Sequence, residues 1–294
     1  MTTTTATLTA CPSARQRPTV SVPRSARAAS TTAYRTLLLR DLAVLRKNLK
    51  EFVPRTLLQP FLLVFVFTYV FPKIGQGVGG GGAEAAGFST RLVAGVLALT
   101  IMFQGIQSVA LPLVQEFGYT KEIEDRVLAP LPISLVALAK ITTGALISLF
   151  AALLVFPIAA VVPATPVHLH VNWLVLITLT PLALVTVAAL GLTFGTRFEP
   201  REVPALFAII VLPLTFLGAV YYSWSALGPV KVFGFSWLEY LVLANPLVYI
   251  SEGFRAALTP GPHMSLWAVY GALAGFAALL TWQGIEGFRR RVVT

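Results

Sequence analysis

Six apolar stretches, near 57–72, 91–115, 136–162, 173–196, 204–222 and 265–288, constrain this chain more than any other feature. Each is long enough, or nearly so, to cross a bilayer, whose hydrocarbon core of about 30 Å takes roughly 20 helical residues. With 56% hydrophobic and 12% charged residues, the chain cannot be a water-soluble domain. The expectation is an all-α integral membrane protein with six transmembrane helices.

Basic residues set the direction of the chain, because lysine and arginine are retained on the cytoplasmic side. Of the 22 basic residues, only Lys73, Arg91, Lys231 and Arg255 fall on the outer side if the N-terminus is inside. Lys121, Arg126 and Lys140 fall in an inner loop around 116–140, Arg197 and Arg201 in the next, and Arg289, Arg290 and Arg291 at the end. Both termini are therefore expected in the cytoplasm, with the cytoplasmic (inner) membrane as location. The net charge of +10 flanks apolar spans. Anionic lipid headgroups, not nucleic acid, are the partner such charges fit.

Residues 1–30 are rich in Thr, Ser, Ala, Arg and Pro, with no acidic residue and no apolar core of a secretory signal. The composition is shared with organelle transit peptides, but a disordered cytoplasmic tail is the more economical reading. Residues 31–53 differ. Tyr34, Leu38, Leu42, Leu45, Leu49 and Phe52 recur every three or four residues and share one helical face, with basic residues mostly off it. Such a helix rests in the headgroup layer with its apolar stripe down, or packs on a partner. Pro54 is expected to end it, and 54–294 is the six-span domain.

Several features invite a site and fail to make one. The glycine run 75–82 lacks the Gly-Lys-Ser/Thr ending of a phosphate-binding loop, and no such motif exists elsewhere. His168 and His170, two apart with no carboxylate or thiolate nearby, do not converge on a metal. Cys11 is the single cysteine, so no internal disulfide forms. No catalytic constellation is present, and if the protein moves something uphill, the energy comes from another subunit. In the second stretch Gln104, Gln107, Ser108 and Pro112 interrupt the apolar run, as residues lining a path or an interhelical contact do.

The region 223–264 is apolar and aromatic yet carries Lys231, Glu239, Glu252 and Arg255. Glu252 and Arg255, three apart, pair on one helical face. Residues 237–258 read as one or two short helices dipping into the outer leaflet without crossing. A full crossing would put Arg289, Arg290 and Arg291 outside, against the charge bias.

One soluble-looking patch stands on the inner side, from Glu116-Phe117-Gly118 to Pro130-Leu131-Pro132. It is helix material at 119–128, with Ile123, Val127 and Leu128 as its apolar edge. This run resembles the loop of type-2 ATP-binding-cassette exporter permeases, the group that includes drug, lipid and polysaccharide exporters. Asn245-Pro246-Leu247-Val248-Tyr249 resembles that family's Asn-Pro element before the last span. The likeness covers about 31–294. Tyr119 is a departure, separating Gly118 from Thr120 where many members have the two types adjacent.

The resemblance implies half of a permease dimer, with a second copy or a paralogue, docked on a separate nucleotide-binding subunit that holds ATP and magnesium. It implies no cofactor and no enzyme activity in this chain. It makes Tyr119, Glu122, Ile123, Glu124, Arg126 and Val127 the coupling helix, and Asn245, Pro246, Glu252 and Arg255 the re-entrant segment. The substrate path is expected at Gln104, Gln107, Tyr221, Tyr222 and Trp224, for a hydrophobic or amphipathic cargo. A glycan exporter, or a non-transporting anchor or assembly subunit, are the rival readings.

Overall fold

The computed structural model describes residues 26–74, 83–120, 132–163, 169–202, 205, 207–227 and 237–293. Every regular element among them is helical. A helix α1 (Ala26–Lys47) is followed after Asn48 by α2 (Leu49–Lys73), whose course includes a π-helical turn at Val66–Val70. Next come α3 (Ala83–Gln115), running into a π-turn at Glu116–Thr120, then α4 (Ile133–Val161) and α5 (Trp173–Arg197). A π-turn at Phe207–Val211 leads into α6 (Leu212–Phe216), and α7 (Trp237–Leu241), α8 (Pro246–Leu258) and α9 (Leu266–Val293) complete the chain.

Five helices are long and apolar enough to cross a membrane: Leu49–Lys73, Gly87–Gly118, Ile133–Val161, Trp173–Arg197 and Leu266–Val292. The expected fifth stretch, 204–222, is helical in its described part only over 205 and Phe207–Phe216. It stops there because the chain turns at Gly218 to Val220, where Ala219 has a φ of 52°.

The N-terminal boundaries differ from expectation. α1 begins at Ala26, so residues 26–30 of the supposed tail are helix; Ala26, Ala28 and Ala29 are strong helix formers. Pro54 does not end the amphipathic helix; it lies inside α2, and the break falls at Asn48 (φ −101°, ψ 15°). Proline there removes the hydrogen bond to the Lys50 carbonyl. Lys50 and Pro54 are both exposed, so the freed carbonyl keeps a polar surrounding.

The bundle is built around α3, most of which is buried, while α2 and α9 lie at its edge. With lipid as solvent, helices associate by close packing and interhelical hydrogen bonds rather than by expelling water. Small residues make that possible here. Gly191 and Gly195 are one turn apart on α5, and a β-carbon at Gly191 would lie 2.8 Å from the Gly105 carbonyl oxygen of α3. α5 and α9 run parallel, and Thr186 and Thr193 donate to the carbonyls of Leu273 (3.4 Å) and Leu280 (3.1 Å).

Candidate functional site

At the end of the bundle where α3 finishes and α4 begins lies a cavity of about 620 Å³, walled by α1, α2, α3 and α4. Gln104, Gln107, Ser108 and Gln115 line it from α3, and Glu116 from the π-turn that follows. Arg40, Asp41, Arg55 and Lys140 add charge from the other helices. Gln104 and Gln107 thus line one space.

Lys140 is not a loop residue, as its charge suggested, but lies inside α4 and is buried. Its ammonium donates to Glu116 Oε1 at 2.7 Å, joining the helices that flank residues 121–131. A buried charge is tolerated when it is paired, and this pair compensates itself.

The stripe on α1 meets α4. Thr142 donates its hydroxyl to the Leu138 carbonyl (2.8 Å), so it accepts from the Tyr34 hydroxyl at 2.6 Å. Thr143 donates to Asp41 Oδ2 (3.3 Å), and the Phe52 and Phe150 rings lie 6.2 Å apart. Between these contacts Leu38, Leu42, Leu45 and Leu49 are half-buried, while Arg35, Arg40, Arg46, Lys47 and Lys50 are exposed. The apolar face predicted from spacing is thus anchored at both ends on the chain's own third span.

Glu122, Ile123, Glu124, Arg126 and Val127 lie outside the described residues, as does the side chain of Tyr119. The approach to that loop is described. The Phe117 ring packs edge-on against Phe288 (5.7 Å) and under the Arg291 guanidinium (5.0 Å). Arg291 also donates to the carbonyls of Thr196 (3.1 Å) and Phe198 (3.0 Å), closing the end of α5. The sequence showed Arg291 only as one of three terminal charges; its partners are set by the parallel packing of α5 and α9.

A second polar cluster occupies the opposite end of the bundle. Asn245 caps α8, its Oδ1 accepting from Leu247 N (2.9 Å) while its Nδ2 donates to the Leu214 carbonyl (2.6 Å). Pro246 takes the first helical position, where its missing N–H costs nothing. Arg255 donates to Glu252 Oε1 at 2.7 Å, with side-chain exposures of 2% and 1%. The same Oε1 accepts from Trp224 N (2.8 Å), and Oε2 from Met264 N (3.0 Å). Arg255 Nη2 donates to Ala219 O (2.6 Å) and Val220 O (3.1 Å). The expected pair therefore also ties the turn after α6 and the loop before α9 to α8.

Tyr221, Tyr222 and Trp224 belong to this second cluster and are half-buried, away from Gln104 and Gln107. The Tyr221 ring rests 5.6 Å from Phe67, Tyr222 donates to the Phe216 carbonyl (3.1 Å), and Trp224 Nε1 donates to Glu239 O (3.3 Å). The five residues expected along one path thus divide between the two ends. Among the described residues no three His, Cys, Asp or Glu side chains form a metal-sized group. What the cavity offers is charge, amides and apolar surface, the means of binding.

Two comparisons bear on these observations. The Inner membrane transport permease YadH of Escherichia coli K12 is 25% identical over 240 residues, covering 79% of this chain and 88% of that protein. The protein of the same name in Shigella flexneri matches equally. The family description "ABC-2 type transporter" matches residues 32–259, a range that takes in most of α1, the cavity, residues 119–130 and the Glu252–Arg255 pair. This chain belongs to the ABC-2 type transporter family.

Proposed function

We propose that the chain is the permease of an ATP-driven exporter in the cytoplasmic membrane, one half of a dimer served by a separate nucleotide-binding subunit. Its cargo is a hydrophobic or amphipathic molecule. ATP and magnesium belong to the partner subunit, which docks on 119–130. The observation that carries this reading is the Glu116–Lys140 pair, which joins the helices flanking that loop and forms part of the cavity wall. A partner that displaces the loop moves α3 and α4 at a point where they already enclose a ligand-sized space. Tyr34 and Asp41 carry the motion to α1, because both are hydrogen-bonded to α4.

Topology supports six spans and a re-entrant segment. Phe198 is tied to Arg291 at the cavity end, and Ala219 to Arg255 at the other, which supports a further crossing between them. α8, with thirteen residues, is too short to cross, and contacts at its two ends involve the same end of the bundle: Asn245 with Leu214, and the Leu258 carbonyl with His170 N (3.0 Å). The basic residues gathered at the cavity end support a cytoplasmic position for both termini.

Mild-detergent purification of the tagged full chain from its native cells tests the proposal, together with ATP-dependent export in inside-out vesicles. A near-stoichiometric partner bearing an ATP-binding loop is expected, with Glu124→Lys losing partner and export while inserting normally. Recovery of the chain alone after crosslinking, or full export by Glu124→Lys, would overturn it.

A further inference from the structure

Arg55, at the cavity rim, heads a stripe of exposed residues at helical spacing along α2. Leu58 and Leu62 follow it at helical spacings of three and four, and are 60% and 48% exposed. A cation at a polar cavity with bare aliphatic side chains beyond it complements one kind of molecule: an anion carrying a hydrocarbon tail.

The charges inside agree. Both acidic lining residues are engaged within the protein, Glu116 by Lys140 at 2.7 Å and Asp41 by Thr143 at 3.3 Å. Among the described lining residues, Arg40, Arg55 and Lys140 stand against those two acids, a formal excess of one positive charge. Arg46, Lys47 and Lys50 extend the positive field along the neighbouring surface. From α3, the Gln104 and Gln107 amides offer both donors and acceptors. A volume of about 620 Å³ falls within the roughly 300–1,000 Å³ of small-molecule pockets and exceeds what a bare phosphate fills.

We infer that this cavity receives the phosphate- or carboxylate-bearing headgroup of an amphiphile drawn from the adjoining leaflet. Arg40 and Arg55 meet the anion, Gln104 and Gln107 hydrogen-bond the polar part, and the tail lies along Leu58 and Leu62. Calling this occupant cargo rests on the export reading. Its binding does not, and is measured without ATP or a partner subunit.

The test is a titration of the purified full chain in nanodiscs of neutral lipid with acyl-labelled phosphatidylglycerol. Labelled phosphatidylcholine, labelled diacylglycerol and soluble glycerol 3-phosphate are the comparators. Saturable binding of phosphatidylglycerol is expected, about tenfold tighter than phosphatidylcholine. Arg40→Gln with Arg55→Gln should remove that preference. Arg201→Gln, an exposed charge away from the cavity, should leave it intact. Gln104→Leu with Gln107→Leu should weaken binding several-fold while keeping the preference for the anion. Equal binding of phosphatidylcholine, equal loss in Arg201→Gln, or displacement by glycerol 3-phosphate as effective as by the lipid would each overturn the inference. Melting of each variant in detergent, read beside the parent chain, separates lost binding from unfolding, and a double variant that melts as the parent does yet keeps its preference for the anion would also overturn the inference. If this binding fails while the ATPase partner still co-purifies, the export reading stands and the lipid site does not.

Discussion

Arg255 donates a hydrogen bond of 2.6 Å to the carbonyl of Ala219, the one non-glycine residue of positive φ among those described. The left-handed region costs an L-residue about 1–2 kcal/mol, so the turn after α6 is held in shape from α8. Ala219→Gly should therefore raise the melting temperature in detergent by about 1–3 °C, since relief of strain exceeds the added freedom of the unfolded chain. Arg255→Lys should lower it by several degrees, because a single ammonium cannot reproduce a planar fork that reaches a carboxylate and two carbonyls. A neutral Arg255→Lys would mean that the turn holds itself.

The Glu252–Arg255 pair also predicts the result of exchanging its members. Simple charge pairing would let Glu252→Arg with Arg255→Glu restore what either change alone removes. Here the carboxylate accepts backbone N–H groups of Trp224 and Met264, and the guanidinium donates to backbone carbonyls of Ala219 and Val220. After exchange a cation would face N–H groups and an anion would face carbonyls. No rescue is expected, and a loss of about 3–5 kcal/mol, typical of a broken buried pair, should remain in the double variant. Recovery of more than half the lost stability by differential scanning fluorimetry would contradict this.

The pattern of legibility follows from what sets each feature. The long helices were readable because apolar length against bilayer thickness decides them, and the α1 stripe because helical period does. The Glu252–Arg255 pair was readable from three-residue spacing inside an apolar region. The partners of Glu116 and Lys140 were not: the two residues are 24 positions apart, and both read as ordinary loop charges. The separation of Gln104 and Gln107 from Tyr221 and Trp224 was equally hidden, since polarity marks a residue as unusual without saying which end of a bundle it serves. Pro54 misled because a membrane helix tolerates an internal proline when the freed carbonyl keeps a polar surrounding, which exposure supplies at Lys50.

Two glycine pairs at the same spacing separate packing from sequence pattern. Gly191 and Gly195 press on α3, where a β-carbon would meet the Gly105 carbonyl oxygen and the Leu113 β-carbon within 3 Å. Gly271 and Gly275 on α9 have nothing within 4 Å. Gly191→Leu should prevent α3 and α5 from closing and leave little monodisperse protein in size-exclusion chromatography. Gly271→Ala and Gly275→Ala should be tolerated within the chain and gain up to about 1 kcal/mol each from better helix propensity. A comparable loss of folded protein in both pairs would mean that α9 has a partner on that side.

Glu116 and Lys140 distinguish a structural pair from one that transmits motion. Lys140→Met leaves a buried carboxylate alone and should cost about 3 kcal/mol, the low end for such breaks because each side chain keeps roughly a tenth of its surface. Glu116→Gln with Lys140→Met removes both charges and should recover most of that stability, since neutral groups of similar size fill the same space. If the pair only holds α3 to α4, the double variant should then transport normally in vesicles containing the ATPase partner. If it conveys loop movement to the cavity wall, the same variant should hydrolyse ATP at the parental rate while export falls at least fivefold. The second outcome is expected, because a short charge-assisted bond keeps its geometry while helices tilt, whereas apolar contacts of the same size slide.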